Sequence, residues 1–248
     1  MKAMILAAGM GTRLKPLTDT MPKALVPVDG IPMIERLINL LRSKGFDSIV
    51  VNVHHFHDML REFLSGVTFD GKIAISDESD CLLDTGGGLV HAAPLLFDDQ
   101  EFVLVHNVDI LSNADITGLI DFHIKSGADA TLLVSSRNSS RKLIFDNASN
   151  LEAWHNLKED SFRPDGFKPT SSSQELAFSG IYVIGKKCVE EMARLMGEGK
   201  YSVIDYFLHP ERKSVVKGYQ QQDLTLLDIG KPATLSQAPV LLKNIFND

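Results

Sequence analysis

Cysteine is scarce: the 248-residue chain has two, Cys81 and Cys188. They lie far apart and form no CxxC pair, so neither a zinc site nor a disulfide scaffold is indicated, and a reducing, cytoplasmic compartment is expected. No apolar run approaches the ~18 residues that span a bilayer. The early run Ala3 to Ala8 meets Gly9, Gly11 and Arg13 at once. It is too short for a secretory core and reads as a strand entering a glycine loop. Surplus positive charge is missing too, with 25 Lys and Arg against 32 Asp and Glu, a net −7. That balance disfavours sequence-independent binding to DNA or RNA. A small anion remains compatible, since a nest of backbone N–H groups and a few cations hold one. No internal repeat occurs, and no hexapeptide periodicity. The length suits one domain, expected over residues 1–248, with no room for a hexapeptide-repeat appendage.

What is present is an alternation. Ala3 to Ala7 is a buried-strand run. Ile34, Leu37, Ile38 and Leu41 recur at helical spacing until Gly45. Ser48 to Val53 is β-branched. Met59, Leu60, Phe63 and Leu64 mark a second helix, and Lys72 to Ser76 a third strand. Leu89 to Leu96 reads as a short helix, Phe102 to Val105 as a strand, Asp115 to Lys125 as a helix and Ala130 to Val134 as a strand. Later strands are Leu176 to Ile184, Val215-Val216 and Leu224 to Ile229, with helices at Val189 to Met196 and from Pro232. The pattern predicts an α/β fold: a single Rossmann-like, mainly parallel mixed sheet flanked by helices. Ligands then sit beyond the carboxyl ends of the strands, so the loops after Ala7, Val53, Ser76 and Val105 should border a site. Residues 137–174 break the pattern. They are polar, carry Pro164 and Pro169, and suggest a hairpin excursion, Lys142 to Phe145 against Leu151 to Trp154, with a mobile tip.

The strongest local signal is Leu6-Ala7-Ala8-Gly9-Met10-Gly11-Thr12-Arg13. A strand ends, two glycines permit close backbone approach, and an arginine follows. It is neither GxxxxGK[ST] nor GxGxxG. Lys23, between Pro22 and Pro27, stands in a stiff segment that would fix its ammonium. Lone Asp residues at strand ends, such as Asp109 and Asp228, are usually caps or turn residues. Gly86-Gly87-Gly88 has an equally plain alternative, a helix start packed tightly on a strand. The run His54-His55-Phe56-His57 lacks an acidic or Cys partner set nearby and reads as a strand end and helix start. Trp154 and Phe162 are possible ligand contacts or pins for the hairpin. Arg137, Arg141 and Lys142 form a basic patch beside it, a possible contact for an anion or ordinary solvated charge.

Taken in order, LAAGMGTRLKPLT, MPKALVPV, DTGGGL, VHNVDI, FSGIY and LDIG resemble the motifs of the sugar-1-phosphate nucleotidyltransferases. The resemblance is close over residues 2–135, thinner over 176–232, and absent from 137–174. Within that family it is nearest the N-acetylmuramate-1-phosphate uridylyltransferase and mannose-1-phosphate guanylyltransferase types. It implies the nucleotide-diphospho-sugar transferase fold, a nucleotide-binding half (1–135) and a sugar-binding half (136–248). The implied reaction joins a nucleoside triphosphate, UTP or GTP, to a sugar 1-phosphate, releasing pyrophosphate. Arg13 and Lys23 would be catalytic. Ala7, Ala8, Gly9, Gly11, Thr12, Arg13, Thr85, Gly86 and Gly87 would bind nucleotide, and Asn107, Glu175 and Gly180 would bind sugar. Asp109 and Asp228 would hold Mg²⁺, a hard cation that takes one or two carboxylates besides substrate and water. No nucleic-acid or membrane partner is expected, and the state is monomer or homodimer. One departure stands out: Val108 occupies the place of the family's glycine before the first carboxylate. It keeps open a nucleotide-sugar-binding relative without turnover. A second alternative, resting on the first loop and Lys23, is a cytidylyltransferase acting on a phosphorylated alcohol such as phosphocholine.

Overall fold

A computed structural model describes residues 1–240 and 242. Its strands are β1 (Lys2–Leu6), β2 (Pro27–Val28), β3 (Ile31–Pro32), β4 (Ser48–Val53), β5 (Lys72–Asp77), β6 (Phe102–Asn107), β7 (Ile110–Ser112), β8 (Ala130–Ser135), β9 (Arg141–Phe145), β10 (Leu151–Asn156), β11 (Ser161–Arg163), β12 (Gln174–Gly185), β13 (Val216–Gln220) and β14 (Leu226–Asp228). Its helices are α1 (Met33–Ser43), α2 (His57–Ser65), α3 (Asp84–Leu96), α4 (Ile116–Ser126), α5 (Lys186–Met196), α6 (Val203–Phe207) and α7 (Pro232–Leu235).

The central sheet runs β5-β4-β1-β6-β12-β8-β13. The pairs β1–β4, β1–β6, β4–β5 and β8–β13 are parallel, while β12 is antiparallel to both β6 and β8. This is the mainly parallel mixed sheet the alternation predicts. Successive side chains of a strand point to opposite faces, and the core divides accordingly. Ala3, Ile5, Ile49 and Val51 pack with α1, α2 and α4. Met4 and Val50 pack with α3, α5 and α6. In α1 the buried positions include Ile34, Leu37, Ile38 and Leu41, the residues that carried the periodicity, and Gly45 follows at φ +81°.

The excursion is a small sheet. β9, β10 and β11 pair antiparallel, and β9 adds to the first residues of β12. The predicted hairpin is present, closed by the Asp146–Asn150 turn, and β11 extends it. The α3 helix starts at Asp84, so the triple glycine lies in its opening turns, as the helix-start alternative has it. Two other features were not legible in the pattern. The segment β14 leaves the main sheet and pairs with β7, a strand the sequence reading omitted. The short α6 is set by a capping box between Ser202 and Asp205, not by periodicity.

Glu191 of α5 ties this helix to the strand entering β13. Its carboxylate accepts from Lys213 N (3.0 Å), Ser214 N (2.9 Å) and the Tyr206 hydroxyl (2.9 Å). Burial alone would raise its pKa; the donors from Ser214, Lys213 and Tyr206 outweigh burial and bring it to about 2. A depressed carboxylate stabilises above its unfolded pKa, and that contribution fades as pH falls through its folded value. Glu191→Gln should cost about 2 kcal/mol at pH 7, read as a melting point lower by about 5 °C. The gap should narrow between pH 4.5 and pH 2, and an equal gap at pH 7 and pH 3 would refute the assignment.

Candidate active site

The carboxyl ends of β1, β4, β5 and β6 converge on a cavity of about 440 Å³. Ala8, Gly9 and Arg13 line it after β1, Asn52 from β4, Leu82, Asp84 and Thr85 after β5, and Asn107 and Asp109 at the end of β6. Lys23 and Lys200 complete the cationic side.

The loop after β1 is held from within. Ala7 N and Ala8 N donate to Asn52 Oδ1 at 2.7 and 3.3 Å. Gly11 has φ +64°, and its carbonyl accepts from Thr18 Oγ1 (2.8 Å) and Leu14 N (2.8 Å). A Cβ there would lie 2.8 Å from Thr18 Cγ2 and 3.0 Å from Lys23 Cβ. Glycine therefore lets the chain reverse into the Thr12–Leu14 turn while Lys23 sits beneath it.

Two acidic groups meet opposite this loop. Asp109 stands two residues after β6 and Asp228 ends β14. The β7–β14 ribbon sets Asp228 across from Ile110, and Ile229 N donates to the Asp109 carbonyl at 2.9 Å. Lys23 Nζ is hydrogen-bonded to Asp109 Oδ2, with 12% and 11% of the two side chains exposed. Arg13 Nη1 lies 3.6 Å from Asp228 Oδ2. Burial pushes the Asp228 carboxyl up, but the Gly230 N–H and the charges of Arg13 and Lys23 prevail and hold it below its ordinary value. Gly230 marks the convergence: a Cβ there would be 2.8 Å from Asp109 Oδ2, 2.8 Å from Asp228 Oδ1 and 2.9 Å from Arg13 Nη2. Two hard carboxylate oxygens facing one point suit a divalent cation such as Mg²⁺. Among the described residues no group of three or more His, Cys, Asp or Glu side chains is arranged for a metal. The remaining ligands of such a cation would be substrate oxygens and water.

The other sequence-predicted positions divide. Thr85 lines the cavity, and its Oγ1 accepts from Val203 N at 2.9 Å. Gly86 and Gly87 turn the other way: a Cβ would meet the Tyr201 ring at 2.5 Å and the Gly199 carbonyl at 1.9 Å. Thr12 is exposed in its turn and Ala7 is buried behind the loop; neither lines the cavity. Gly180, at φ +79° in the irregular stretch of β12, packs on Asn107, whose Nδ2 would lie 2.7 Å from its Cβ. Glu175 instead engages His155 Nδ1 at 3.0 Å, and the cavity lining does not include it. Val108 is buried in the core beside Ala7 and Leu14, and its N–H donates to the Leu6 carbonyl. Its side chain does not line the cavity. His54 Nδ1 bonds the Glu78 carbonyl at 2.6 Å, and His54, His55 and His57 border a different cavity. Asn52 and Lys200 were missed. Nothing in the sequence marks Asn52 beyond its polarity inside an apolar strand, and Lys200 stands in an ordinary glycine-containing loop.

A Rossmann-like sheet with a glycine loop, two cations and paired aspartates at its strand ends defines a nucleotidyl-transfer enzyme. The family model for nucleotidyl transferases matches residues 2–243, and the chain belongs to that family, in its sugar-1-phosphate branch. An N-acetylmuramate alpha-1-phosphate uridylyltransferase of Neisseria meningitidis serogroup B is 32% identical over 244 residues, covering 97% of this chain and 98% of its own. A UTP–glucose-1-phosphate uridylyltransferase of Synechocystis sp. is 39% identical over 147 residues, which are 55% of this chain but 37% of that protein. HddC from Yersinia pseudotuberculosis, solved with GMP-PN, shares the fold over 98% of this chain and 99% of its own, with a TM-score of 0.75 at 22% identity.

Proposed function

We propose that the protein transfers the uridylyl group of UTP to N-acetylmuramate α-1-phosphate, giving the nucleotide sugar and pyrophosphate. The reaction class is that of the family; the base and the acceptor are the proposal. The Neisseria relative, similar from end to end, supports both. The observation that carries the acceptor is a second cavity of about 520 Å³. Leu143, Trp154 and Phe178 give it apolar walls, while Arg141, Lys142 and Arg163 give it charge. It adjoins the nucleotide cavity. Ser202 and Ile204 line it on either side of Val203, the residue bound to Thr85, and Phe178 lies two residues before Gly180. Arg163 sits 4.9 Å over the Trp154 ring and bonds Asp205 at 3.0 Å. Lys142 donates to the Arg137 carbonyl at 2.6 Å, and Arg137 to the Phe178 carbonyl at 2.8 Å. Burial, then the neighbouring Arg137 charge, lowers the Lys142 pKa. An aromatic floor with cations at its rim suits a sugar carrying a carboxylate, as the lactyl ether of N-acetylmuramate does.

The attacking sugar phosphate is already an anion and needs no base. One of its oxygens bonds to the α-phosphorus of UTP as the α–β bridge breaks, and pyrophosphate departs with the electron pair. The work is to bring anions together and to stabilise the leaving charge. Gly9 and its neighbours carry the triphosphate, Arg13 meets the departing phosphates and Lys23 the α-phosphate. Mg²⁺ held by Asp109 and Asp228 would neutralise phosphate charge. Cys81 and Cys188 are both unpaired thiols, which fits a reducing cytoplasmic setting.

Pyrophosphate release from a matrix of four nucleoside triphosphates and several sugar 1-phosphates tests the reading. N-acetylmuramate 1-phosphate should exceed N-acetylglucosamine 1-phosphate by at least about tenfold in kcat/KM, the worth of one charge-assisted hydrogen bond. Equal use of the uncarboxylated sugar would overturn the acceptor, and a preference for GTP would overturn the base.

A further inference from the structure

Glu78 lies just beyond β5 and is 2% exposed. The nucleotide cavity's lining does not include it. Both of its carboxylate oxygens are nevertheless occupied. Asn52 Nδ2 donates to Oε1 at 2.7 Å, and Leu83 N donates to Oε2 at 3.1 Å. The other end of the Asn52 amide accepts from Ala7 N and Ala8 N. The amide can sit only one way round, because a carboxylate on one side accepts and two N–H groups on the other donate. The third glycine of the triplet has its reason here. A Cβ on Gly88 would lie 2.7 Å from Glu78 Oε1 and 3.2 Å from Asn52 Nδ2. The chain thus gives up a side chain in the first turn of α3 to admit a buried carboxylate. Burial raises the Glu78 pKa, and the bonds from Asn52 and Leu83 act against that rise.

We propose that Glu78 is a positioning residue for the triphosphate loop, acting through Asn52. It joins the segment preceding α3, the end of β4 and the Ala7–Ala8 turn into one rigid corner. Without it, Asn52 Nδ2 has no acceptor, and the Oδ1 that Ala7 N and Ala8 N bond is held less firmly, loosening the loop up to Arg13. An interaction that organises a ligand site without touching the ligand shows chiefly in ligand affinity. This inference rests on reading the 440 Å³ cavity as the nucleoside triphosphate site.

The donor pattern supplies its own test. In Glu78→Gln, the new amide NH₂ faces either Asn52 Nδ2 or Leu83 N, donor against donor. In Asn52→Asp, two carboxylates face each other. In the double variant, the introduced glutamine donates to the introduced aspartate and accepts from Leu83 N, while that aspartate accepts from Ala7 and Ala8. Every bond is restored with its direction reversed at one link. UTP affinity of the full-length protein with Mg²⁺ is measured by calorimetry, alongside the KM for UTP, the KM for the sugar 1-phosphate and kcat. Each single variant should weaken UTP binding about tenfold and leave the sugar KM within about twofold. The double variant should return to within about threefold of the starting protein. Unchanged UTP affinity in both singles, or a double variant no better than the worse single, overturns the proposal. So does a lowered melting point with UTP affinity intact, the mark of a merely structural carboxylate. Should Glu78→Gln fail to fold, Asn52→Asp and the double variant still decide, and an insoluble double variant would itself contradict the restored network. Failure of the starting protein to bind any nucleoside triphosphate would refute the site itself, a result distinct from a bound nucleotide that ignores these substitutions.

Discussion

Asp109→Asn should lower kcat by about 10³-fold while the protein keeps its fold. The substitution preserves the side chain's shape and its ability to accept from Lys23, so the chief loss is one charge. That charge does two things in the site. It holds the Lys23 ammonium in a pocket where both groups are nearly buried, and it faces the same point as the Asp228 carboxylate. A neutral amide holds Lys23 more weakly and is a poor ligand for a divalent cation. Losing a placed electrostatic group of this kind typically removes 10²–10³ in rate, and losing cation affinity adds to it. About 10³ corresponds to roughly 4 kcal/mol of transition-state stabilisation. Fold retention is expected because the Asp109 backbone carbonyl keeps its bond from Ile229 N. Steady-state kinetics at saturating Mg²⁺ with a thermal melt checks this; a kcat within tenfold of the starting protein would remove Asp109 from the catalytic set.

Gly230→Ala is the second large effect, and it removes no functional group at all. Gly230 does not have positive φ, so alanine is conformationally acceptable. The obstacle is local. The added methyl would stand under 3.0 Å from Asp109 Oδ2, Asp228 Oδ1 and Arg13 Nη2 at once. These are side-chain ends that swing aside at modest cost, so stability should fall by less than about 2 kcal/mol. Their displacement is the penalty. A shift on the order of 1 Å in groups that align a reacting phosphate costs about 10² in rate. The expected result is kcat down about 100-fold with a melting point lowered by only a few degrees. Gly87→Ala provides the contrast. Its Cβ would meet a backbone carbonyl, that of Gly199, at 1.9 Å, and a backbone cannot swing aside so readily. That variant should lose stability first and activity only as a consequence. If Gly230→Ala turned over normally, the convergence of the two carboxylates would have no catalytic meaning.

Much of the architecture was legible because it follows from local rules. The apolar strand runs and the helix face of Ile34, Leu37, Ile38 and Leu41 are statements about period, and period survives folding. The β7–β14 ribbon was not legible. β14 falls within the strand read at Leu224 to Ile229, but β7 has three residues, too few for a pattern, and the two pair across more than a hundred positions of sequence. The triple glycine was legible as a signal but not as a cause. It resembles the family's second glycine loop, yet its glycines make room for Tyr201, for the Gly199 carbonyl and for Glu78. Val108 looked like a departure inside the site, but its side chain is buried in the core. Glu175 was set at the sugar side, and a histidine across the small sheet took it instead.

The sequence by itself determined the fold class and the glycine loop after β1, because both follow from period and local residue type; the two cations and the two aspartates it marked only through a resemblance of motifs in order. Tertiary structure alone decided which of these groups face one another. That depends on a ribbon formed by distant segments, on a buried asparagine and glutamate that shape the loop from behind, and on glycines whose absent side chains are measured only against neighbours. Contacts between distant residues are set by three-dimensional packing, and the local period of a chain carries no record of them.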